Sequence, residues 1–433
     1  MPRKRTYTPL RVLQNNRLVG RIIKETSGAI SFQYDANWLS WSGSFPISLS
    51  LPLREDAFRG ERLTAVLDNL LPDSDALRWR VAERVGANGT DAFSLLAQIG
   101  RDCVGALQFV PEDEKIEMDT SAIKGEPICD QEIEKLLKNL ARAPLGLDRD
   151  REFRISVAGA QEKTALLHHQ GKWWKPHGTT PTTHILKTQI GTLPNGLDLS
   201  HSVENEYYCL KLVAAFGLPA NAAEIAVFGR TTALVIERFD RKWTSDGRLL
   251  RIPQEDFCQA LACPPSLKYQ NQGGPGMVEG LNLLKGSDTP AEDQKAFIKT
   301  QVLFWLLGAT DGHAKNFSIF LGEGGRFRLA PVYDVLTAQP SLVARRIERK
   351  QMKLAMSVGD RRHYRMDEIK GGHFAQTAKR AGLPESLATE VLAEVAQMAG
   401  KAIATVEKQL PQGFPGFIHD AVKAGLTARL KNI

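Results

Sequence analysis

The spacing of the apolar residues changes along the chain, and this change limits the fold more than any other sequence feature. Apolar and polar residues alternate in short runs over the first thirty-five residues, with Asn15-Asn16 as a turn signal between two runs. Short strand-like runs recur between residues 153 and 240 around one predicted helix at 202–216. Beyond residue 253 apolar residues recur at helical spacing. The segregation of strands and helices predicts an α+β fold.

The 433 residues also divide by pattern, in line with the ~100–200 residues usual per domain. The three predicted segments are a mixed α+β module at 1–150, a β-rich lobe at 151–245 and a mainly helical lobe at 246–433. The predicted strands of the β-rich lobe are 154–157, 164–167, 183–187, 223–228 and 232–236. In the helical lobe, Thr289 and Pro290 open a capping box that predicts a helix start.

The composition predicts a folded protein of the cytoplasm, with 42% apolar and 24% charged residues. The longest apolar run, near residues 302–309, is far shorter than the ~20 residues of a membrane-spanning helix, so no contact with a membrane is predicted. The basic start is followed by no apolar stretch and does not predict a secretory signal. The five cysteines form no C-x-x-C pair, which favours reduced thiols.

A basic segment lies at residues 345–370, where nine lysines and arginines stand against four acidic residues. A polyanion such as DNA can dock on a surface of this kind. A solvated basic face without a ligand is the alternative, because runs of charge are common on protein surfaces.

The most informative segment is Gly308-Ala-Thr-Asp-Gly-His-Ala-Lys-Asn316, directly after a predicted helix. Asp311 precedes Asn316 by five positions, the spacing of a kinase catalytic loop, where Asp accepts the substrate hydroxyl proton and Asn holds Mg²⁺. Such a spacing also occurs by chance, so a third residue is needed. Asp334 supplies it, because an acidic residue inside an apolar stretch must be paired or bind metal. The alternative for Asp334 is a buried helix cap or ion pair.

Two basic residues of the same segment, His313 and Lys315, are candidates for contact with phosphate oxygens, although such loop residues are more often only solvated. Upstream, residues 153–167 join two strand-like runs through small residues around Gly159, which lets backbone N–H groups approach phosphates. This segment lacks the G-x-x-x-x-G-K-[ST] and G-x-G-x-x-G patterns, so a plain hairpin turn is its alternative. Lys187 ends a predicted strand, as does the lysine that pairs with nucleotide phosphates in kinases, or else it is an ordinary surface lysine.

Together these segments resemble the HipA family of bacterial toxin kinases over essentially the whole chain. The segments that carry the resemblance are Ser156-Val-Ala-Gly-Ala-Gln-Glu-Lys163, Glu237-Arg-Phe-Asp-Arg241, Gly308–Asn316, Tyr333-Asp334, Leu70-Leu-Pro-Asp-Ser74, Ile99-Gly-Arg-Asp-Cys-Val-Gly105 and Pro253-Gln-Glu-Asp256.

The resemblance implies a bilobal, protein-kinase-like fold that binds ATP and Mg²⁺ between its lobes. It implies Asp311 as catalytic base, Asn316 and Asp334 as Mg²⁺ ligands, and Ser156 as an autophosphorylation site that inactivates the enzyme. The residues implied to bind the nucleotide are Ala158, Gly159, Ala160, Gln161, Glu162, Lys163, Lys187, Glu237, Arg238, Phe239, His313, Lys315 and Asn316.

The resemblance further implies a serine/threonine-protein kinase toxin that phosphorylates a translation component, with glutamate-tRNA ligase the first expectation, and causes growth arrest and persistence. Its implied partners are a HipB-like helix-turn-helix antitoxin dimer and, as co-repressor, operator DNA. The candidate DNA contacts are Arg361, Arg362, Lys379 and Arg380. Two other functions stay open on the residues alone: a small-molecule or lipid phosphotransferase, and a DNA-associated repressor subunit with a vestigial active site.

Overall fold

The computed structural model describes residues 7–115, 123–147, 153–158, 161–193 and 197–433. Its strands are β1 (Leu10–Gln14), β2 (Arg17–Lys24), β3 (Ile30–Tyr34), β4 (Phe58–Arg59), β5 (Leu107–Pro111), β6 (Gly125–Ile128), β7 (Lys163–His169), β8 (Lys172–Pro176), β9 (His184–Lys187), β10 (Gly191–Thr192), β11 (Asp198–Leu199), β12 (Ala223–Phe228), β13 (Thr231–Glu237), β14 (Arg241–Trp243), β15 (Leu249–Arg251), β16 (Gln254–Asp256), β17 (Ser318–Leu321), β18 (Phe327–Leu329), β19 (Lys353–Val358) and β20 (His363–Arg365).

The α-helices are α1 (Ala36–Leu39), α2 (Glu61–Asp68), α3 (Asp75–Val85), α4 (Ala92–Ile99), α5 (Asp130–Lys138), α6 (Ser202–Ala215), α7 (Phe257–Ala260), α8 (Met277–Leu284), α9 (Pro290–Leu307), α10 (Gln339–Val343), α11 (Gly371–Arg380), α12 (Glu385–Glu407) and α13 (Gly416–Leu430). This mixture of sheets and helices confirms the predicted α+β class.

The chain forms two compact units, and each is assembled from separate stretches of sequence. The first unit contains Met1–Thr188, Val227–Ser266 and Ile319–Arg326, and the second contains Gln189–Ala226, Leu267–Ser318 and Phe327–Ile433. The predicted domain boundaries at residues 150 and 245 remain a prediction.

The first unit begins with a five-stranded antiparallel sheet in the order β4-β3-β2-β1-β5. Asn15 and Asn16 connect β1 to β2 with φ angles of 46° and 64°, the left-handed conformation that tight hairpins need and that asparagine tolerates. This confirms the predicted turn. The buried core of the sheet and helices α2 to α4 includes Phe32, Trp38, Leu67, Val81 and Leu96.

The second sheet has six strands in the order β12-β13-β9-β7-β8-β6. Strand β9 pairs antiparallel with both β7 and β13, so Lys187 faces Lys163 on one side and Leu234 on the other. The predicted strands at 164–167, 183–187 and 232–236 correspond to these strands within one or two residues. This sheet therefore fixes the neighbours of Lys187.

The strand predicted at 154–157 is wrong, because this segment forms no strand and joins no sheet of the described residues. Its apolar residues Phe153, Ile155 and Val157 are buried in the core of the first unit, and so are Arg154 and Ser156 between them. The backbone N–H of Ser156 donates to the carbonyl oxygen of Asp102 at 3.0 Å, and not to the backbone of a neighbouring strand. The alternating apolar residues of this segment therefore do not mark a strand, because the polar residues between them are buried as well.

The second unit is mainly helical and is built around α9. Most residues of α9 are buried, and α6, α12 and α13 pack against it. Its predicted start holds in part: Pro290 occupies the first turn, but the Thr289 side chain makes no capping hydrogen bond, so the predicted capping box is absent. Within the described part of the chain, no helix is both long and apolar enough to cross a bilayer.

Candidate active site

The catalytic-loop segment begins where α9 ends at Gly308. Gly308 has a φ of 76°, and a Cβ atom there would lie 3.0–3.1 Å from Met352, Arg429 and Gln339 side-chain atoms. Only glycine fits this left-handed position without strain. The next residue, Ala309, forms a bridge with Thr337. The chain therefore leaves the helix sharply and is held beside the segment that contains Asp334.

The backbone of Asp311 is fixed by its own loop. Its carbonyl oxygen accepts hydrogen bonds from the Asn316 side-chain amide at 2.7 Å and from the His313 N–H at 2.8 Å. Asn316 is buried, and because its NH₂ group is engaged, its amide oxygen is the atom left for a ligand. Asp311 and Asn316, five positions apart in the sequence, are therefore in direct hydrogen-bonded contact.

The side chain of Asp311 remains accessible, with 54% of its surface exposed. The Tyr269 hydroxyl donates a hydrogen bond to Oδ1 of Asp311. His313 is buried, and its Nε2 lies 4.0 Å from the same oxygen. An exposed carboxylate on a fixed backbone suits a group that receives a proton from an outside hydroxyl.

Asp334 lies in a loop that is tied to the catalytic segment. Its φ of 57° is rare for a residue other than glycine and occurs often at functional sites. The neighbouring Tyr333 hydroxyl donates to the Lys315 carbonyl oxygen at 2.6 Å and shares a hydrogen bond of 2.7 Å with Ser318. The structure therefore brings the segments of Asp311 and Asp334 together within the second unit.

These residues suit a hard cation. Asn316 offers an amide oxygen and Asp334 a carboxylate, the ligand types that Mg²⁺ prefers alongside water and phosphate oxygens. Among the described residues there is no cluster of three or more His, Cys, Asp or Glu side chains with metal-binding geometry. A cage made of protein ligands alone is therefore absent from the described residues, whereas a site completed by nucleotide phosphates fits.

In the first unit, Lys163 and Lys187 lie directly opposite each other on β7 and β9. Directly opposed residues of an antiparallel pair project from the same face of the sheet. The two residues are only 7% and 5% exposed. Two lysine side chains on one face of the sheet make that face positively charged, which favours an anion. This pair is suited to phosphate oxygens.

The segment after β13 contains the predicted hinge. Glu237 is exposed, and the Phe239 ring packs edge-on against Phe320 with 5.6 Å between centroids. Arg238 is buried, its N–H donates to Thr183, and its guanidinium binds Asp240 and the Cys103 carbonyl oxygen. These groups of Arg238 are therefore engaged inside the unit, whereas Glu237 and Phe239 are more accessible.

Arg238 belongs to a buried ion network around Asp102. This carboxylate accepts hydrogen bonds from Arg241 at 2.8 Å, Arg251 at 3.0 Å and Thr182 at 2.7 Å. Burial alone would raise the pKa of Asp102, but the surrounding guanidinium groups hold it well below its usual range. The network joins the loop after α4 to the chain that follows β13.

The predicted phosphate loop is described only in part. Gly159 and Ala160 lie outside the described residues. At the end of the preceding segment, Ser156 is fully buried, and its hydroxyl donates to the Leu70 carbonyl oxygen at 2.7 Å. After these two residues, the Gln161 side chain donates to the Thr188 carbonyl oxygen at 2.9 Å, and the Glu162 carboxylate lies 3.4 Å from the Arg80 guanidinium. In this conformation the Ser156 hydroxyl is closed to a phosphoryl donor.

The candidate DNA contacts lie in the second unit. Arg361 and Arg362 are exposed in the turn between β19 and β20, and no ion pair forms at either of them among the described residues. Lys379 pairs with Glu385 at 2.9 Å, and Arg380 donates to the Gly359 carbonyl oxygen. Arg361 and Arg362 are therefore the members of this group best placed to meet a polyanion.

Family models and known proteins match nearly the whole chain. Residues 10–110 match the HipA N-terminal domain, and residues 155–403 match the HipA-like C-terminal domain. The chain is 33% identical over 412 residues to the putative kinase Y4mE of Sinorhizobium fredii, a match that covers 93% of this chain and 92% of that protein. The chain belongs to the HipA family.

Two further comparisons fix the enzyme class of this HipA family member. The chain is 29% identical to the serine/threonine-protein kinase toxin HipA of Shewanella oneidensis, covering 89% of this chain and 86% of that protein. It also matches, with a TM-score of 0.81 and 25% identity, a chain in the solved complex of HipA, HipB and operator DNA from that organism, covering 98% and 96% of the two chains. The protein is therefore a protein kinase toxin of the HipA type.

Tyr269 is a residue of the site that the sequence motifs did not indicate. It stands in Lys268-Tyr-Gln-Asn-Gln-Gly-Gly-Pro-Gly276, outside the motifs considered above. The glycines and proline of this stretch indicate a tight turn, but they do not indicate which loop it meets. The contact with Asp311 arises between residues that are 42 positions apart.

Proposed function

We propose that this protein transfers the γ-phosphoryl group of ATP to a serine or threonine hydroxyl of a translation component and thereby arrests growth. An aminoacyl-tRNA synthetase is the substrate class, with glutamate-tRNA ligase as the first candidate, and the cytoplasm is the site of action. The observation that carries the proposal is the exposed Asp311 carboxylate on a backbone fixed by Asn316.

The roles of the residues follow from the chemistry of phosphoryl transfer, which depends on positioning and electrostatics. Asp311 accepts the proton of the acceptor hydroxyl as its oxygen attacks the γ-phosphorus and ADP leaves. Asn316 and Asp334 are the groups that hold Mg²⁺, which when bound neutralises charge on the phosphate oxygens. Lys187, with Lys163 opposite it, binds phosphate oxygens. Glu237 and Phe239 are the residues proposed to line the adenine side, and the segment from Ala158 to Glu162 is proposed to bind the phosphates.

Phosphorylation of Ser156 is the proposed means of inactivation. The buried Ser156 hydroxyl donates to Leu70, so residues 153–158 must leave the core before the hydroxyl meets a phosphoryl donor. A phosphate on Ser156 adds about −1.5 to −2 charges and prevents return to a buried position. The opened segment then no longer supports the adjacent phosphate loop.

The proposed partners are a HipB-like antitoxin dimer and, through it, operator DNA. The solved complex of HipA, HipB and operator DNA supports this proposal, because this chain matches a chain of that complex along nearly its full length. The exposed Arg361 and Arg362 at the turn after β19 are suited to contact phosphates beside the antitoxin. Repression of the operator and persistence of the arrested cell belong to the same proposal.

The test is to incubate the full-length protein with Mg²⁺, labelled ATP and a bacterial translation extract, and to identify labelled proteins by mass spectrometry. Label on a serine or threonine of an aminoacyl-tRNA synthetase is the expected result. Label on small molecules or lipids alone would replace the proposal with a different phosphotransferase. An absence of any Asp311-dependent label would contradict a kinase role for this site.

A further inference from the structure

Two side chains face the same oxygen of the predicted base. The Tyr269 hydroxyl donates a hydrogen bond to Oδ1 of Asp311, and Nε2 of His313 lies 4.0 Å from that oxygen. The rings of Tyr269 and His313 pack edge-on, with 4.8 Å between centroids and planes at 84°. One oxygen of the Asp311 carboxylate is thus held from the side of the protein.

The Asp311 carboxylate needs such support. The bonds from Asn316 and His313 N–H fix only the carbonyl oxygen of Asp311, and the side chain is more than half exposed. Rotation about its side-chain torsions would move the carboxylate away from an acceptor hydroxyl. Small misplacements of a reacting group lower rates markedly, because the reacting atoms must lie about 3–3.5 Å apart.

Tyr269 is itself carried on a rigid turn. The carbonyl oxygen of Tyr269 accepts hydrogen bonds from the N–H groups of Gln272 and Gly274, both at 3.0 Å. A Cβ atom at Gly274 would lie 1.7 Å from the Leu267 carbonyl oxygen, so the turn closes only with glycine there. The neighbouring Gln270 side chain accepts a hydrogen bond from the Ser357 N–H at 2.6 Å. The turn therefore places the phenol with little freedom.

The same turn contacts the catalytic loop through its backbone. The N–H of Ala314 donates to the Lys268 carbonyl oxygen at 3.3 Å. Lys268 directly precedes Tyr269, so the backbone and the phenol hold the loop at two points, near Ala314 and at Asp311. This arrangement orients the carboxylate as well as supporting the fold.

We propose that Tyr269 is a positioning residue for phosphoryl transfer, an inference that rests on the proposed role of Asp311 as base. Its phenol holds Oδ1 of Asp311 and leaves Oδ2 to face the acceptor hydroxyl. During transfer the acceptor O–H bond breaks and its proton moves to Oδ2. The acceptor oxygen forms a bond to the γ-phosphorus, the bond from that phosphorus to ADP breaks, and its electron pair leaves with ADP. Tyr269 keeps its proton throughout.

The test is Tyr269→Phe in the full-length protein, because phenylalanine keeps the ring against His313 and removes only the hydroxyl. ADP formation is measured with ATP, Mg²⁺ and a bacterial translation extract as the source of acceptors. We expect kcat to fall about 10-fold to 100-fold, the usual range for a lost hydrogen bond to a charged group, while the KM for ATP changes less than about twofold. Tyr207→Phe, on α6 of the same unit, is the matched control and should keep both values.

The outcomes separate the two proposals. An unchanged kcat in Tyr269→Phe would overturn the positioning role. So would a fall in kcat that is explained by a matching fall in the melting temperature, because the residue would then only support the fold. Asp311→Ala tests the base independently. Should Asp311→Ala keep full activity, the proposed function of the site fails whatever Tyr269→Phe does. A dead Asp311→Ala with an unaffected Tyr269→Phe overturns only the inference about Tyr269.

Discussion

Asp102 and Arg241 form a buried salt bridge in the first unit, with 2.8 Å between Oδ1 and Nη2 and only 2% of either side chain exposed. Arg238 and Arg251 bind the same carboxylate. Asp240 adds a second carboxylate that also binds Arg238. Buried charges of this kind are stable only while every partner is present, because each has lost its hydration. The network therefore makes the first unit sensitive to the loss of one charge.

Asp102→Asn should destabilise the first unit by roughly 3–5 kcal/mol, the cost typical of breaking a buried ion pair from one side. The guanidinium groups of Arg238, Arg241 and Arg251 would lose their shared anion while remaining buried. Denaturant unfolding measures the change. Asp246→Asn, which breaks an exposed pair with Arg248, is the control and should change little. Equal stability of the two variants would contradict the importance of the network.

The buried Glu255 makes stability depend on pH. Burial raises the pKa of its carboxyl to about 8, although a hydrogen bond from the Leu49 N–H opposes the rise. The folded state thus keeps the proton that the unfolded chain loses above about pH 4.5. The stabilisation is complete below that pH and is lost as the pH rises to about 8.

Glu255→Gln should therefore be more stable than the parent protein at pH 8 by a few kcal/mol, because each pKa unit corresponds to about 1.4 kcal/mol. At pH 4.5 and below the two should be equal. Chemical unfolding at both pH values is the measurement, with Glu83→Gln as an exposed control in the same unit. A difference that does not vary with pH would show that Glu255 is ionised in the folded protein.

Asp311→Ala should abolish phosphoryl transfer and growth arrest, because it removes both the proton acceptor and its charge. Labelled transfer from ATP and growth after induction are the measurements. Asp334→Asn should instead retain weak transfer at a raised Mg²⁺ requirement, since a neutral amide is a poorer ligand for a hard cation. Near-normal turnover and toxicity in Asp311→Ala would place the active site elsewhere.

Phosphorylation of Ser156 should strongly weaken ATP binding, because the modified side chain cannot return to its place against the Leu70 carbonyl oxygen. Binding of ATP to the phosphorylated and unmodified proteins is the comparison. Ser156→Ala should lower stability by about 1–3 kcal/mol through the lost buried hydrogen bond and should leave ATP affinity intact. If the phosphorylated protein bound ATP as tightly as the unmodified one, Ser156 would be only a structural residue.

Charge reversal at Arg361 and Arg362 should weaken operator binding by the complex with its antitoxin. The log–log slope of affinity against salt should fall by ~0.9 for each phosphate contact removed, equally across operator sequences. Kinase activity should be unchanged. Reversal of Lys401, on α12, and Lys408, which follows the last residue of α12, is the matched control, because both are exposed. An unaltered salt slope would assign the basic segment to a solvated face.

Local features of the fold followed from the sequence alone. The helix predicted at 202–216 is α6 (Ser202–Ala215), the turn at Asn15-Asn16 adopts left-handed angles, and Pro290 begins α9. Each depends on the conformational preferences of a few adjacent residues. The spacing of Asp311 and Asn316 is local in the same sense, since one short loop contains both.

Contacts between distant segments were decided only by the tertiary structure. The strand predicted at 154–157 does not form. Alternating apolar residues predict a strand with one buried face, but this segment is buried on both faces, and Ser156 forms hydrogen bonds to Asp102 and Leu70. Thr289 makes no capping hydrogen bond, and its φ of −132° and ψ of 65° lie outside the extended conformation usual for an N-cap residue.

The neighbours of the candidate catalytic residues show the same limit. The register that sets Lys163 opposite Lys187, and the turn that carries Tyr269 to Asp311, join residues far apart in sequence. Sequence patterns determine which side chains are suited to the chemistry and which elements carry them. Only packing decides which of these side chains meet, because the energy of a long-range contact depends on every segment that folds between its two residues.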